Sequence, residues 1–352
     1  MGGRTAIGLD IGTSGVRAAE LSVGKDHLTL EKFGQVPLPE GAVRDGEVVD
    51  IDAVSDAIRQ LWSHTRFSGK RVVIGVSNSK VIVRQVDLPW LPANELRTAL
   101  PFQVQDFIPI PVDQAVLDFL TLEEFTAEGG ARTLRGLLVA ASREMVMNSV
   151  TAVQRAGLTP TMVDLTSFAV LRSLSKPAAL ATAEEVEAVV DVGARVTNIV
   201  VHAGGTPRFV RILLMGGEDI TEAVAERVGV PHAQAEEMKQ QHGIATGPAD
   251  DDVLARVLET SGNAFVDEVR GSLDYYTASS GSAPISRILV SGGGCRLPGL
   301  IDRLADATRL PVVAGSAIEP LAIGKTGLTP EQIQYVGPLA AVPVGLALGA
   351  AS

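Results

Sequence analysis

The sequence predicts an α/β protein of two similar halves, with a small separate unit inserted into the first. Three observations lead there. Short β-branched runs alternate with longer helical patterns along the whole chain. The tripeptide Asp10-Ile11-Gly12 recurs as Asp191-Val192-Gly193 about half a chain later, and in both places it ends an apolar strand and opens a turn. Between them, Leu88-Pro89-Trp90-Leu91-Pro92 interrupts the first pattern and begins another. With 352 residues, 46% of them hydrophobic, there is material for about two domains with a core each.

Residues 5–9 and 16–21 flank the turn Gly12-Thr13-Ser14-Gly15 and read as a β-hairpin, with residues 27–36 as a third strand. Residues 51–65 put Val54, Ile58, Leu61 and Trp62 at helical spacing on one face. Strands over residues 71–76 and 81–86, around the polar turn Ser77-Asn78-Ser79, complete a meander with one helix. In the inserted unit Asn94 is the expected N-cap of a helix carrying Leu96, Leu100, Val104 and Phe107, which Pro101 should kink or break. Extended segments over residues 115–122 and 133–141 follow, then a helix over residues 144–156 stopped by Gly157, and then a short strand and helix. A connector over residues 176–187 leads into the second half. There, residues 188–192, 198–202 and 206–213 read as strands, with turns at Gly193-Ala194-Arg195 and Ala203-Gly204-Gly205. Ile288-Leu289-Val290 is a buried-type strand that runs through Ser291 into Gly292-Gly293-Gly294, with Leu297-Pro298-Gly299 opening a helix. Residues 332–352 carry no charge, but Pro338, Pro343 and several glycines favour a buried closing helix over a membrane span.

Thirty basic against 41 acidic residues give a net charge of −11, so no general attraction to nucleic acid or anionic lipid is expected. The single cysteine, Cys295, excludes an intramolecular disulfide, fits a reducing compartment and reads as a small buried residue. Arg4, Asp10 and Arg17 interrupt the first apolar stretch, so no signal peptide or anchor is read there. His27, His64, His202, His232 and His242 form no catalytic constellation and read as surface or turn residues. The repeated turns do carry chemistry. Backbone N–H groups around Gly12, Thr13, Ser14 and Gly15, helped by the two hydroxyls, suit phosphate oxygens. Asp10 and Asp191, one from each repeat, suffice for Mg²⁺, which keeps several waters beside substrate phosphates. Gly292, Gly293 and Gly294 allow a flat or anionic ligand to approach the backbone.

In the order hairpin-Asp, hairpin-Asp, strand-Gly-Gly-Gly, these motifs resemble the nucleotide site of the actin, sugar-kinase and DnaK-chaperone superfamily. Gly8-Leu9-Asp10-Ile11-Gly12-Thr13-Ser14 looks like its first phosphate motif, Asp191-Val192-Gly193 its second, and Ser291-Gly292-Gly293-Gly294 its adenosine motif. Val163-Asp164-Leu165-Thr166-Ser167-Phe168-Ala169 resembles its first connecting motif, which implies that Asp164 orients the water attacking the γ-phosphate. Gly217 through Thr221 and then Ala235-Glu236-Glu237-Met238-Lys239 are similar to the FtsA-like branch, which implies that Gly217, Glu236 and Lys239 flank ribose and adenine.

Leu88-Pro89, Glu95-Leu96, Ile108-Pro109-Ile110-Pro111, Asp118, Leu138-Val139-Ala140-Ala141 and Ala156-Gly157-Leu158 further resemble the PilM family of type IV pilus assembly, over almost the whole chain. That resemblance implies an actin-like (ribonuclease H-like) two-domain fold with a nucleotide cleft and an FtsA-like 1C insertion. It divides the chain into 1A over residues 1–87 and 164–187, 1C over 88–163, 2A over 188–216 and 285–334, 2B over 217–284, and a C-terminal helix over 335–352 returning to 1A. It implies ATP or ADP with Mg²⁺ as cofactors. The implied partner is the N-terminal cytoplasmic peptide of a PilN-like membrane protein, in a groove between 1A and 1C, with the pilus motor ATPase as a further candidate; the Pro-flanked helix of the insertion, with Phe102 and Phe107, offers the apolar walls that an extended peptide needs. The implied location is the cytoplasm, with recruitment to the inner membrane and no direct insertion. Two departures from the pattern imply slow turnover. Gly15 stands where FtsA has a lysine, with Arg17 as the substitute, and the second turn lacks extra glycines and a first threonine, with Thr197 as compensation. An FtsA-like filament protein, a small-molecule kinase of the same superfamily and a scaffold without nucleotide remain open at this point.

Overall fold

The computed structural model describes residues 4–24, 27–175, 185–244, 252–279 and 283–351. The first half begins with β1 (Arg4–Ile11), β2 (Gly15–Val23), β3 (Leu28–Pro37) and a short pair, β4 (Val43–Arg44) and β5 (Glu47–Val48). Helix α1 (Ile51–Thr65) and β6 (Arg71–Val76) follow. Asp50 caps α1, its Oδ1 accepting from the N–H groups of Asp52 and Ala53, and Val54, Ile58 and Leu61 face the core as their spacing predicts. The inserted unit comprises β7 (Val81–Pro89), α2 (Ala93–Gln103), β8 (Ala115–Thr126) and β9 (Arg132–Ser142). The chain returns through α3 (Arg143–Arg155), β10 (Thr159–Leu165) and α4 (Thr166–Leu174).

The second half contains β11 (Val186–Val192), β12 (Thr197–Ala203), β13 (Thr206–Leu213), α5 (Gly217–Val228), α6 (His232–His242) and α7 (Val253–Thr277). It ends with β14 (Arg287–Ser291), α8 (Leu300–Thr308) and β15 (Val312–Ala314). Strand β16 (Ala322–Ile323), α9 (Pro330–Val336) and α10 (Ala341–Ala351) complete the chain. Of the expected connector over residues 176–187, residues 176–184 lie outside the described residues.

The duplication read from two tripeptides holds for whole sheets. The first sheet runs β10-β6-β1-β2-β3-β16 and the second β13-β12-β11-β14-β15. Setting β1 on β11 makes five strands correspond in order. In each, the first hairpin is antiparallel and the first strand pairs in parallel with a later one, β1 with β6 and β11 with β14. Val189, Val200 and Leu289 of the second sheet lie in one apolar cluster with Ala19 and Val73 of the first sheet and Leu346 of α10, so the two sheets share a core.

Several expectations need correction. Strand β7 does not extend the first meander; it pairs with β9 in a separate three-stranded sheet, β7-β9-β8, so the inserted sheet starts at Val81. Strand β10, expected inside the insertion, pairs with β6 in the first sheet. Pro92, not Asn94, is the N-cap of α2, and the helix continues past Pro101 to Gln103, because a proline so near the C-terminal end removes only one ladder bond. His202 is buried in the second sheet beside Glu187, which also pairs with Arg287, and burial holds its imidazole below the ordinary range. Cys295 is buried as expected, and burial raises its thiol to about 11.

The uncharged C-terminal stretch is a core element. Val344, Leu346 and Ala347 of α10 are fully buried against β1 and α4. Backbones meet closely there: a Cβ on Gly8 would stand 2.0 Å from the Pro343 carbonyl oxygen, and one on Gly345 would stand 1.8 Å from that of Ala169. No single helix among the described residues is long and apolar enough to cross a membrane; α9 and α10 meet that test only as a pair bent by 55°.

Candidate functional site

Both Asp-Gly turns open onto one cleft of about 990 Å³ between the halves. The turns are built alike. Gly12 N–H donates to Gly15 O and Gly193 N–H to Val196 O, each at 3.0 Å. Asp10 is opposite Arg17 in the β1–β2 register, and Asp191 is opposite Asn198 in β11–β12, so these pairs occupy equivalent places. Gly12, Thr13, Ser14 and Gly15 line the cleft on one side, and Gly193, Gly217, Gly292, Gly293 and Gly294 line it on the other. Gly292 has φ 82°, and a Cβ there would meet the Val192 carbonyl oxygen at 2.4 Å, so only glycine fits that turn.

Both carboxylates line the cleft, near enough for the charge of Asp10 to act on Asp191. Burial raises the Asp10 carboxyl, against the pull of Arg17, whose Nη1 lies 3.6 Å from its Oδ2. Burial also raises Asp191 to about 6, with the Asp10 charge adding to the rise and a 2.8 Å hydrogen bond from Ser291 Oγ opposing it. Two largely desolvated acids that each resist ionisation fit a cation that would relieve both. No group of three or more His, Cys, Asp or Glu side chains that would hold an ion by themselves occurs among the described residues. The donor set therefore suits a hard ion that completes its shell with phosphate oxygen and water, as Mg²⁺ does.

On α6, Glu236 and Lys239 line the cleft as expected, but Lys239 is committed within the protein. Its Nζ donates to Gly217 O at 2.8 Å and Thr221 Oγ1 at 2.8 Å, and it pairs with Glu236 Oε2 at 2.6 Å, which accounts for all three protons. Burial opposes ionisation of Glu236, yet hydrogen bonds from Lys239, Thr221 and Gln240 carry it below its ordinary range. Lys239 thus positions α6 on the start of α5, and Glu236, which also takes hydrogen bonds from Thr221 and Gln240, lines the cleft with Gln240.

Two predicted residues are not brought to the cleft. Asp164 is not among the residues lining it. Its position in β10 turns it toward α4 and α10, where Oδ2 pairs with Arg172 at 3.0 Å and Oδ1 accepts from the Leu165 N–H. Thr197 is also turned inward, its hydroxyl donating to Met215 O at 2.7 Å. The neighbours Thr166 and Asn198 line the cleft instead. Arg17, expected as the cationic substitute, does line it, its Nη2 3.3 Å from Ser14 Oγ. Sequence reasoning missed Ser77, Asn198, Arg296 and Tyr335, all at the cleft. Overlaying the two repeats finds Asn198, which stands where Arg17 stands; Tyr335 comes from a distant helix with no local motif.

A family model described as type IV pilus assembly protein PilM matches residues 8–351. The chain is similar to cell division protein FtsA of Bacillus subtilis, 25% identical over 266 residues, covering 68% of this chain and 58% of that protein. It is similar also to FtsA of Neisseria meningitidis, 27% identical over 282 residues, covering 72% and 64%. The chain thus spans less than two thirds of the length of these relatives. A solved PilM-PilN type IV pilus biogenesis complex superposes with a TM-score of 0.87 at 30% identity, over 99% of this chain and 98% of that one. MreB5 of Spiroplasma citri bound to ADP superposes with a TM-score of 0.55 at 12% identity, over 97% and 94%, which is a likeness of fold. The fold is therefore the actin-like one expected. Because the matched span takes in both Asp-Gly turns, the inserted sheet and the closing helix, the chain belongs to the PilM family of type IV pilus assembly proteins.

Proposed function

We propose that the protein binds Mg·ATP or Mg·ADP between its halves and serves as a cytoplasmic scaffold of type IV pilus assembly. Its partner is the N-terminal tail of a PilN-like membrane protein, which recruits it to the inner membrane. The observation that carries the nucleotide reading is that Asp10 and Asp191, both raised by burial of their carboxyls, line one cleft framed by like-built glycine turns. Mg²⁺ held by these two residues would offset the phosphate charge. The turn from Gly12 to Gly15 and Arg17 would hold the phosphates, and Glu236 and Gln240 the ribose. Slow turnover is supported by the neutral groups near the turns. Ser77, Thr166 and Asn198 can orient a water but are poor acceptors of its proton, and Asp164 is engaged elsewhere.

The partner reading is supported by the likeness to a structure described as a PilM-PilN complex and by Phe102, 79% exposed on α2, while Phe107 is partly packed into the insertion's core. Titrating a labelled N-terminal peptide of the cognate PilN-like protein and following anisotropy tests it; saturable binding is expected. No saturation up to about 1 mM, roughly −4 kcal/mol, counts against the scaffold reading. In parallel, Mg·ADP should raise the melting temperature of nucleotide-stripped protein, with about 2.7 kcal/mol of linkage at 100 times Kd. A flat, magnesium-independent response counts against the cleft assignment.

A further inference from the structure

We propose that the end of the first half opposite the cleft, built on the loop from Arg66 to Arg71, docks on an anionic lipid surface and so orients the protein on the membrane. This rests on the recruitment reading above, which brings the chain within reach of a bilayer. The chain as a whole is too acidic for such an attraction, but its charge is unevenly placed. Residues 57–86 hold six Lys or Arg and no Asp or Glu, in a chain whose net charge is −11. Three of the six are spent within the protein: Arg59 pairs with Asp56, Lys80 with Glu47, and Arg84 donates to Phe107 O. Arg66, Lys70 and Arg71 are left, all exposed and none in an ion pair among the described residues.

The loop that carries them is held by its backbone. Arg66 takes the left-handed conformation, φ 55°, its N–H donating to Trp62 O at 2.9 Å and its carbonyl accepting from Lys32 Nζ. The Ser68 N–H donates to Glu20 Oε2 at 2.8 Å, Trp62 Nε1 to Gly69 O at 2.9 Å, and the Thr159 N–H to Lys70 O at 2.8 Å. Glu20 is buried in β2 and engaged by that backbone N–H, and Lys32 stands opposite it in the strand register, so this pair leaves the three outer cations unquenched. Strand β6 then runs from Arg71 to Gly75, which lines the cleft about 13 Å further on, so the cations stand at the far end of the first sheet. A patch of this kind suits a surface of fixed negative charge, where several headgroups face it at once within a Debye length of roughly 8 Å. The same surface repels the acidic remainder of the chain, which selects this end for the contact. Three cations hold weakly by themselves. Joined to a tethered tail they act as the second of two signals, at high effective concentration.

The test supplies a tether that is independent of the tail. Strand β1 starts at Arg4 and runs parallel to β6, so an N-terminal histidine tag on the full chain anchors this end to vesicles holding a trace of nickel-chelating lipid. The affinity for such vesicles is measured with phosphatidylcholine as the bulk lipid and with phosphatidylglycerol added to about 40%, at low salt, about 50 mM. The parent should bind the anionic vesicles up to about a hundredfold more tightly, at about fivefold per charge, and lose the difference at high salt. Arg66→Gln/Lys70→Gln/Arg71→Gln should bring the ratio near one. Lys70→Gln/Arg71→Gln, which leaves the left-handed residue alone, should bring it to about fivefold. Arg208→Gln/Arg227→Gln/Arg309→Gln removes the same charge from exposed positions elsewhere and should keep the parent's ratio within about twofold. The inference is overturned if the parent shows no preference for anionic vesicles, if the double variant keeps the parent's ratio, or if the two triple variants lose it alike. Displacement by a DNA duplex at equal phosphate concentration would assign the patch to nucleic acid and overturns it too. If the tail peptide saturates the protein but the anionic preference is missing, only the docking inference fails. If the preference is present but the peptide does not bind, the tail reading fails and the lipid contact stands.

Discussion

At the scale of single residues, the cleft stores an electrostatic cost in Asp191. The ordinary carboxyl value is 3.8 and the folded one about 6, so the native state holds this proton more tightly than the unfolded chain does. That favourable contribution is complete below 3.8 and is lost as pH rises through about 6. Without magnesium, the protein at pH 7 therefore bears a buried charge. Asp191→Asn should raise the stability of nucleotide-stripped protein at pH 7.5, by an amount on the order of 3 kcal/mol at most, with the gain vanishing near pH 4. The same change should abolish the magnesium-dependent thermal shift. Urea unfolding at both pH values checks the first part, and a variant less stable than its parent at pH 7.5 contradicts it. Residue identities were legible where a motif names them, as at Asp10 and Gly12. Side-chain direction was not. Thr197 precedes Asn198, which lines the cleft, and strand alternation sends its side chain to the opposite face, whereas Asp164 is separated from Thr166 by the change from β10 to α4, where it is held by Arg172 and the Leu165 N–H.

Among the elements, α10 is the most exacting fit. The approach of Gly345 to the Ala169 carbonyl leaves no room for a methyl group, and Arg172 Nη1 also donates to Gly345 O at 2.7 Å. Gly345→Ala should destabilise the protein by about 3 kcal/mol, as expected for overpacking against backbone, and chemical denaturation measures it. Unchanged stability would mean that α10 shifts freely on α4. Element types were legible nearly everywhere, since Val54, Ile58 and Leu61 announce α1 and valine runs announce β11 and β12. Sheet membership was not, because β7 and β6 carry the same β-branched signal and only tertiary pairing separates them. The end of α2 was misread for a related reason, Pro101 being tolerated where the helix is about to stop.

For the whole molecule, a buried polar tie among the described residues crosses between the halves. Ser77 and Ser167 of the first half donate at 2.7 and 2.8 Å to Asn198 Oδ1 of the second, in a buried setting. Ser77 precedes β7, so the tie also anchors the root of the inserted sheet, while Ile212 of β13 packs in a cluster with Val83 and Val139 of that sheet. Replacing both serines with alanine strands a buried acceptor and should cost about 2 kcal/mol. Amide hydrogen exchange in β7 and β12 should quicken. Exchange unchanged from the parent would mean that apolar contacts alone hold the halves together. The internal repeat made the two-half plan legible from Asp10 and Asp191. The tie was invisible because Ser77 read only as a turn residue.

The position of α10 also bears on how the chain folds as it is synthesised. Gly8 of β1 emerges early, but the helix that covers it, residues 341–351, emerges after every strand of the second half has been made. The second half can thus close its own apolar cluster while the ribosome is still at work, and the first sheet keeps one face bare until the last helix arrives. The half that is translated first depends on contacts of very long sequence separation, the slowest kind to form.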